Sequence, residues 1–251
     1  MKGSSFPKSC ILIMAILCIT ALTVTEKEPL AAIQKQPKPQ GFGKLPASDQ
    51  DRLADYLVFK INYLYRPGGK GEFRNLSKGS VLRSGDHYKI IFTPTENCYV
   101  YIFQVDSANK IYRLFPMESF AGVTVNNFNP VDAGKTYYIP AEKKSFILDQ
   151  QIGTEKIYFL ASYQQDIELE EQYQRAFIAQ QQKQGIEEQL EQIDQLLKHA
   201  MEVKGLADVV SDPAETERMT WEEEGQTFSI LQQRLENMCD GCVHVLTFEH
   251  K

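Results

Sequence analysis

Near its C-terminus the chain carries Cys239-Asp240-Gly241-Cys242-Val243-His244, its densest grouping of residues that ligate metals or exchange electrons. Two cysteines at this spacing can close a disulfide, act as a redox pair, or bind a metal with His244 and, as a fourth ligand, His250. Haem attachment needs a histidine directly after the second cysteine, and Val243 stands there. Structural zinc takes four such ligands, and no second Cys-x-x-Cys is present. Thioredoxin-like chemistry expects the motif between a strand and a helix. Here the order is reversed: Phe228, Leu231, Leu235 and Met238 are spaced as a short amphipathic helix, and Val243 to His250 alternate as a final strand. A disulfide closing the Asp240-Gly241 turn is the structural reading. Metal ligation by Cys239, Cys242 and His244, or redox use of the pair, are its alternatives. No cofactor is expected.

Other chemistry finds less support. There is no Gly-x-Ser-x-Gly elbow, and the chain has only 4 histidines to serve as a base. His87 follows Asp86, but neighbours on a strand point to opposite faces. Arg66-Pro67-Gly68-Gly69-Lys70-Gly71 lacks the spacing of a phosphate loop. Asp106 to Asn109 lacks that of a calcium loop. The net charge of −6 argues against nucleic acid, whose binding needs clustered Lys and Arg. The chain reads as a non-enzyme.

The elements that carry these residues are mostly strands. Asp55 to Arg66 alternates, with Leu57, Phe59, Ile61, Tyr63 and Tyr65 on an apolar face. Further strands are expected at His87–Thr93, Cys98–Val105, Lys110–Phe115, Lys135–Ile139, Ser145–Leu148 and Lys156–Ser162, with loop between Pro116 and Pro130. Tyr99, Tyr101 and Phe103 share one face of their strand, either a core or a binding platform. With the loop residues Asn126, Asn127 and Asn129 they are the candidate binding residues. From Asp166 the composition turns to Glu and Gln. Ile186, Leu190, Ile193, Leu197 and Met201 form one helical stripe, with Gly185 as a break. The expected fold is mainly β: an antiparallel sandwich-like domain over 51–165, a helical extension over 166–204, then a loop, the short helix and a C-terminal strand over 205–251.

The N-terminus carries Lys2 and Lys8 before an uncharged apolar run from Cys10 to Leu22, the pattern of a secretory signal over 1–25. Residues 26–50 read as a flexible linker. The mature protein is expected in the periplasm or cell envelope, with a retained N-terminal membrane anchor as the alternative. Export places Cys98, Cys239 and Cys242 where disulfides form, giving one bridge and one free thiol.

Leu82-Arg83-Ser84-Gly85-Asp86, Phe92-Thr93-Pro94, Cys98 to Ser107 and Leu114-Phe115-Pro116 follow one another. Asn129-Pro130, Tyr138-Ile139-Pro140 and Gly153-Thr154-Glu155 continue the series. This order resembles domain-of-unknown-function family 4384 over roughly Leu57 to Ser162. The resemblance implies a bacterial β-rich accessory module of envelope or exported proteins, with no catalytic or binding set to carry over. The function expected is non-catalytic binding of a protein, peptide or glycan partner.

Overall fold

The computed structural model describes residues 56–182, 185–204, 208–210, 217–223 and 225–251. The expected signal and linker lie outside the described residues. In chain order the strands are β1 (Tyr56–Arg66), β2 (Arg74–Asn75), β3 (Val81–Leu82), β4 (His87–Pro94), β5 (Tyr99–Val105), β6 (Ile111–Phe115), β7 (Met117–Phe120), β8 (Val123–Asn127), β9 (Tyr137–Ile139), β10 (Phe146–Ile147) and β11 (Gly153–Ser162). Two helices follow, α1 (Ile167–Gln182) and α2 (Ile186–Lys204). The chain closes with β12 (Asp208–Val210), β13 (Arg218–Glu223), β14 (Gln226–Leu231), β15 (Gln233–Cys239) and β16 (Val243–His250).

Two sheets form the sandwich. The first runs β10-β4-β1-β15-β12, with β2 on β1 and β9 on β4; the second runs β3-β16-β11-β5-β6. Pairing is antiparallel except between β16 and β3. Alternation sends one face of each strand inward, so Phe59, Ile61, Phe92, Ile102, Phe159 and Phe248 meet between the sheets and are buried. Phe159 packs edge-on against Phe59 and Phe92, with ring centroids 5.1 and 5.4 Å away.

The outer faces are also covered. Leu169, Ala176, Ile193 and Leu197 of the helices pack on Tyr101, Phe103, Tyr158 and Val243 of the second sheet. Asp166 caps α1, its Oδ1 accepting the Leu169 amide at 3.0 Å. Gly185, at φ +63°, separates the two helices where a single broken helix was expected. The β13–β14 hairpin lies on the other side. Its Met219, Trp221 and Phe228 pack on Leu64, Phe73 and Ile91 of the first sheet and its loops. Among the described residues, no helix is long and apolar enough to cross a membrane.

Three expectations are corrected. Phe228 to Met238 is not a helix but the end of β14 and most of β15. The expected loop at 205–225 contains β12 and β13, and that between Pro116 and Pro130 contains the β7–β8 hairpin. That hairpin turns at Ala121 and Gly122, both at positive φ, as tight hairpin turns require.

Candidate binding site

Four inner-face strands each end in a polar residue where period two calls for an apolar one. Tyr88 precedes Ile90 and Phe92 on β4; Gln104 follows Val100 and Ile102 on β5. Glu155 precedes Ile157 and Phe159 on β11, and His250 follows Leu246 and Phe248 on β16. Register brings these ends to one side of the sandwich: Glu155 lies opposite Phe248, and Gly153 opposite His250.

There they form a buried polar chain. The Tyr88 hydroxyl donates to Gln104 Oε1, and Gln104 Nε2 donates to Glu155 Oε2 at 2.9 Å. Glu155 Oε1 lies 3.8 Å from His250 Nδ1, and His250 Nε2 lies 3.0 Å from Ser84 Oγ. Tyr88, Glu155 and His250 are 3%, 2% and 1% exposed. Burial raises the Tyr88 phenol well above its ordinary range, and Glu155 and Asp149 add to it.

Beside this chain lies a cavity of about 660 Å³ between the edge strands of the two sheets. β6 supplies one wall through Tyr112, Arg113 and Leu114. The segment 144–149 around β10 supplies the opposite wall, and Met117, Phe120 and Ala121 of the β7–β8 hairpin close one end. Phe120 meets Phe146 edge-on at 5.1 Å, which ties the hairpin to the β10 wall. Tyr88, Gln104, Asp106 and Glu155 line the floor. Tyr112 and Ile147 are exposed at the rim. Burial and Asp106, in that order, push the Tyr112 phenol up to about 12.

Glu155 gives the site a pH signature. Burial first, and then Asp106 and Asp149, hold its carboxyl above the ordinary value of 4.5, against the lowering contacts of Gln104 and His250. The folded protein therefore keeps a proton that the unfolded chain releases. The stability this provides is complete below 4.5 and is lost as pH rises through the raised folded value. Glu155→Gln is expected to flatten the decline in urea midpoint from pH 4.5 towards neutrality, relative to the parent. Superimposable profiles for the two proteins would contradict this assignment.

Ser84, His250 and Glu155 follow one another in the order of a hydrolytic relay, but the surroundings lack its other parts. The amides of Ser84, Gly85 and Asp86 donate to Lys251, Leu148 and Arg83 carbonyls, so none is left to face an oxyanion. The carboxylate is also too far from Nδ1 for a hydrogen bond.

The residues singled out from the sequence lie elsewhere, except at one margin. Tyr101 and Phe103 are 2% and 1% exposed, closed over by α1, because the face they share is the seat of the helical layer. The Tyr101 hydroxyl donates to Glu170 at 2.8 Å and accepts the Asp166 amide at 3.0 Å, fixing the start of α1. Tyr99 is half-buried at the same margin. Neither Tyr101 nor Phe103 offers a surface to an outside partner. Asn126 sits at φ +51°, a left-handed position that asparagine tolerates. Asn127 Nδ2 donates to the Tyr138 and Pro140 carbonyls. Asn129 pairs with both the amide and the carbonyl of Val100, at 2.9 and 2.8 Å, replacing a missing strand. The Asn127 and Asn129 side chains are thus occupied with backbone, whereas Asn126 is exposed.

Cys239 and Cys242 are bonded to each other. Gly241, at φ +73°, turns the chain between them from β15 in the first sheet to β16 in the second, so the bridge staples the two sheets at a corner. Cys242 is 3% exposed. His244 lies in the sandwich against the Tyr63 ring at 5.6 Å. Sulfurs joined in a bridge are not metal ligands, and among the described residues no three His, Cys, Asp or Glu gather to hold a metal. Cys98 is free and buried, and burial pushes its thiol up to about 12.

Sequence reasoning missed the polar chain. Its signal was present in the alternation, as an acid, an amide, a phenol and an imidazole each standing at the end of an apolar face. Residues 81–165 match the model of one family, described as a domain of unknown function (DUF4384). The match begins after β1, later than the resemblance drawn from Leu57, and includes Tyr88, Gln104, Asp106 and Glu155 but not His250. No curated protein and no solved structure matches the chain.

Proposed function

We propose that this protein, whose residues 81–165 match the model of a domain of unknown function (DUF4384), is an exported, non-catalytic module that binds an extended segment of a partner protein. The segment lies in the cavity between the edges of its two sheets. The observation that carries this reading is the cavity's position. β6 ends the second sheet, and among the described strands it pairs only with β5, so its outer backbone edge borders the cavity that Tyr112 and Leu114 line. An unpaired edge beside an apolar pocket suits a peptide that adds as a strand and places alternate side chains inward. The exposed Tyr112 and Ile147 at the rim add apolar contact area.

The experiment is an amide chemical-shift titration of the full-length protein. The probe is a pool of capped pentapeptides, acetyl-Thr-Val-Xaa-Val-Thr-amide, with Lys, Glu, Leu or Asn at the centre. Shifts confined to 111–127 and 144–149 are the expected result; shifts scattered elsewhere, or none at millimolar peptide, would overturn it. Intact mass of the protein from an envelope fraction checks the export half of the proposal. Loss of roughly the first 25 residues is expected, and a mass matching the complete chain would contradict it.

A further inference from the structure

We propose that the cavity selects a basic side chain, a lysine or arginine of the bound peptide, whose cationic end is held by Glu155. The inference rests on the peptide-binding reading above and adds the chemistry of what enters the pocket.

Its first support is a carboxylate lining the cavity, one of whose oxygens accepts no hydrogen bond. Glu155 lines the cavity, is 2% exposed, and spends Oε2 on Gln104 Nε2. Its Oε1 has only His250 Nδ1 nearby, at 3.8 Å, and that nitrogen is itself buried without a hydrogen bond. An unpaired polar atom in a protein interior is costly and uncommon, and His250 Nδ1 is one, lying behind a carboxylate oxygen that accepts no hydrogen bond at the cavity floor. A donor entering from the cavity satisfies Oε1, and a charged donor does so most strongly.

The second support is the sign of the surrounding charge. Asp106 and Asp149 line the cavity with Glu155. Asp106 holds the amides of Ala108 and Lys110 through Oδ1, so its charge is fixed in place. Of the two cations that line the cavity, Arg113 is turned away, with its guanidinium stacked 4.5 Å over the Tyr173 ring on α1. Lys144 stands exposed at the rim and makes no ion pair with these carboxylates among the described residues. Apart from His250 beside Glu155, the acids are therefore left without an internal counter-charge.

The third support is the shape of the lining. Between the rim and the carboxylate the walls are apolar or aromatic, with Phe146 stacked on Tyr88 at 5.0 Å and Leu114 and Met117 beside them. A hydrocarbon stem that ends in a cation matches such walls and such a floor, and aromatic faces favour the cation further. An acidic side chain would meet three carboxylates, and a purely apolar one would leave Oε1 unpaired.

The test compares three single peptides by calorimetry on the full-length protein: acetyl-Thr-Val-Lys-Val-Thr-amide and its central Leu and Glu variants, with n-butylamine as a fourth probe. The lysine peptide is expected to bind about tenfold tighter than either variant, the scale of one charge-assisted hydrogen bond. Glu155→Gln keeps the side-chain shape and the contact to Gln104, and it should bring the three peptides within about threefold of one another. Asp149→Asn, at an exposed position that does not endanger folding, should weaken only the lysine peptide. Equal binding of all three peptides would overturn the basic-side-chain inference and leave the peptide slot standing. Failure of all three would remove both. Preference for the Glu peptide would also overturn the inference, whereas n-butylamine binding as tightly as the lysine peptide would overturn the peptide reading on which it rests, because the peptide backbone would then contribute nothing.

Discussion

Glu223→Ala is expected to lower the unfolding free energy by about 3–5 kcal/mol, and Lys89→Ala by a similar amount, as for a buried ion pair that loses one partner. Lys89 and Glu223 are 0% and 3% exposed, with Nζ and Oε2 2.6 Å apart. Nζ also donates to the Glu142 carbonyl at 2.8 Å, and it lies within 6.0 Å of the Phe73, Tyr138 and Trp221 ring centres. Ser145 Oγ donates to the other carboxylate oxygen at 2.9 Å. Burial, the largest influence, lowers the Lys89 ammonium from its ordinary value, and the contacts to Glu223 oppose it. Truncating either residue leaves the other charge buried with only a neutral hydrogen-bond partner, the Glu142 carbonyl for Lys89 or the Ser145 hydroxyl for Glu223. Replacing both, as Lys89→Met with Glu223→Leu, removes the two desolvation costs together, so the double variant should be more stable than either single one. Urea midpoints of the four proteins measure this. Single variants within about 1 kcal/mol of the parent would show that the pair is not buried as described.

The same pair bears on the site. Lys89 lies on the outer face of the first sheet, and through Glu142 and Ser145 it ties the wall segment that precedes β10 to the β13–β14 hairpin. A cavity between two sheet edges keeps its shape only if both edges are anchored. β6 is anchored by its ladder to β5, whereas β10 has only two residues on β4. The ion pair thus supplies a position where the short ladder does not, which gives it a role as a register device rather than as a source of stability.

How far the sequence could be read depended on whether period two ran undisturbed. It did in β1, β4, β5, β11 and β16, and those strands fall where alternation put them. The misread stretch at Phe228 to Met238 shows the limit. Leu235 and Met238 both enter the core although three positions apart, because the pairing with β1 shifts between Leu57 and Phe59 and Asn237 adopts φ +57°. A bulge adds one residue to a period of two, and the resulting spacing of three imitates a helix. The polar chain escaped notice for a different reason. Glu155, Gln104, Tyr88 and His250 are each unremarkable at the end of a strand, and only the antiparallel register, set by residues far apart in sequence, brings them together. The Asn127 and Asn129 side chains were visible as loop residues. That they substitute for backbone partners at Tyr138, Pro140 and Val100 depends on contacts no local pattern contains.

Phe159→Ala is expected to cost about 3–5 kcal/mol, the range for an aromatic removed from a packed core. The side chain is 0% exposed, and its ring touches the inner faces of β1 and β4 from β11, so it joins the two sheets at their middle. Little can move in to fill the space, since Phe59 and Phe92 are held by their own ladders to β15, β4 and β9. The substitution also separates stability from binding. Phe159 and Glu155 share one face of β11, two inner positions apart, and Ile157 lies between them. The variant should therefore unfold at a lower urea concentration while the part that remains folded keeps its preference among the peptides, because Glu155, Gln104 and the cavity walls are untouched. A loss below about 1 kcal/mol would mean that the sheets do not meet at this ring. Lost peptide preference in a protein still folded would mean instead that the carboxylate depends on the whole core for its placement rather than on the strand ends.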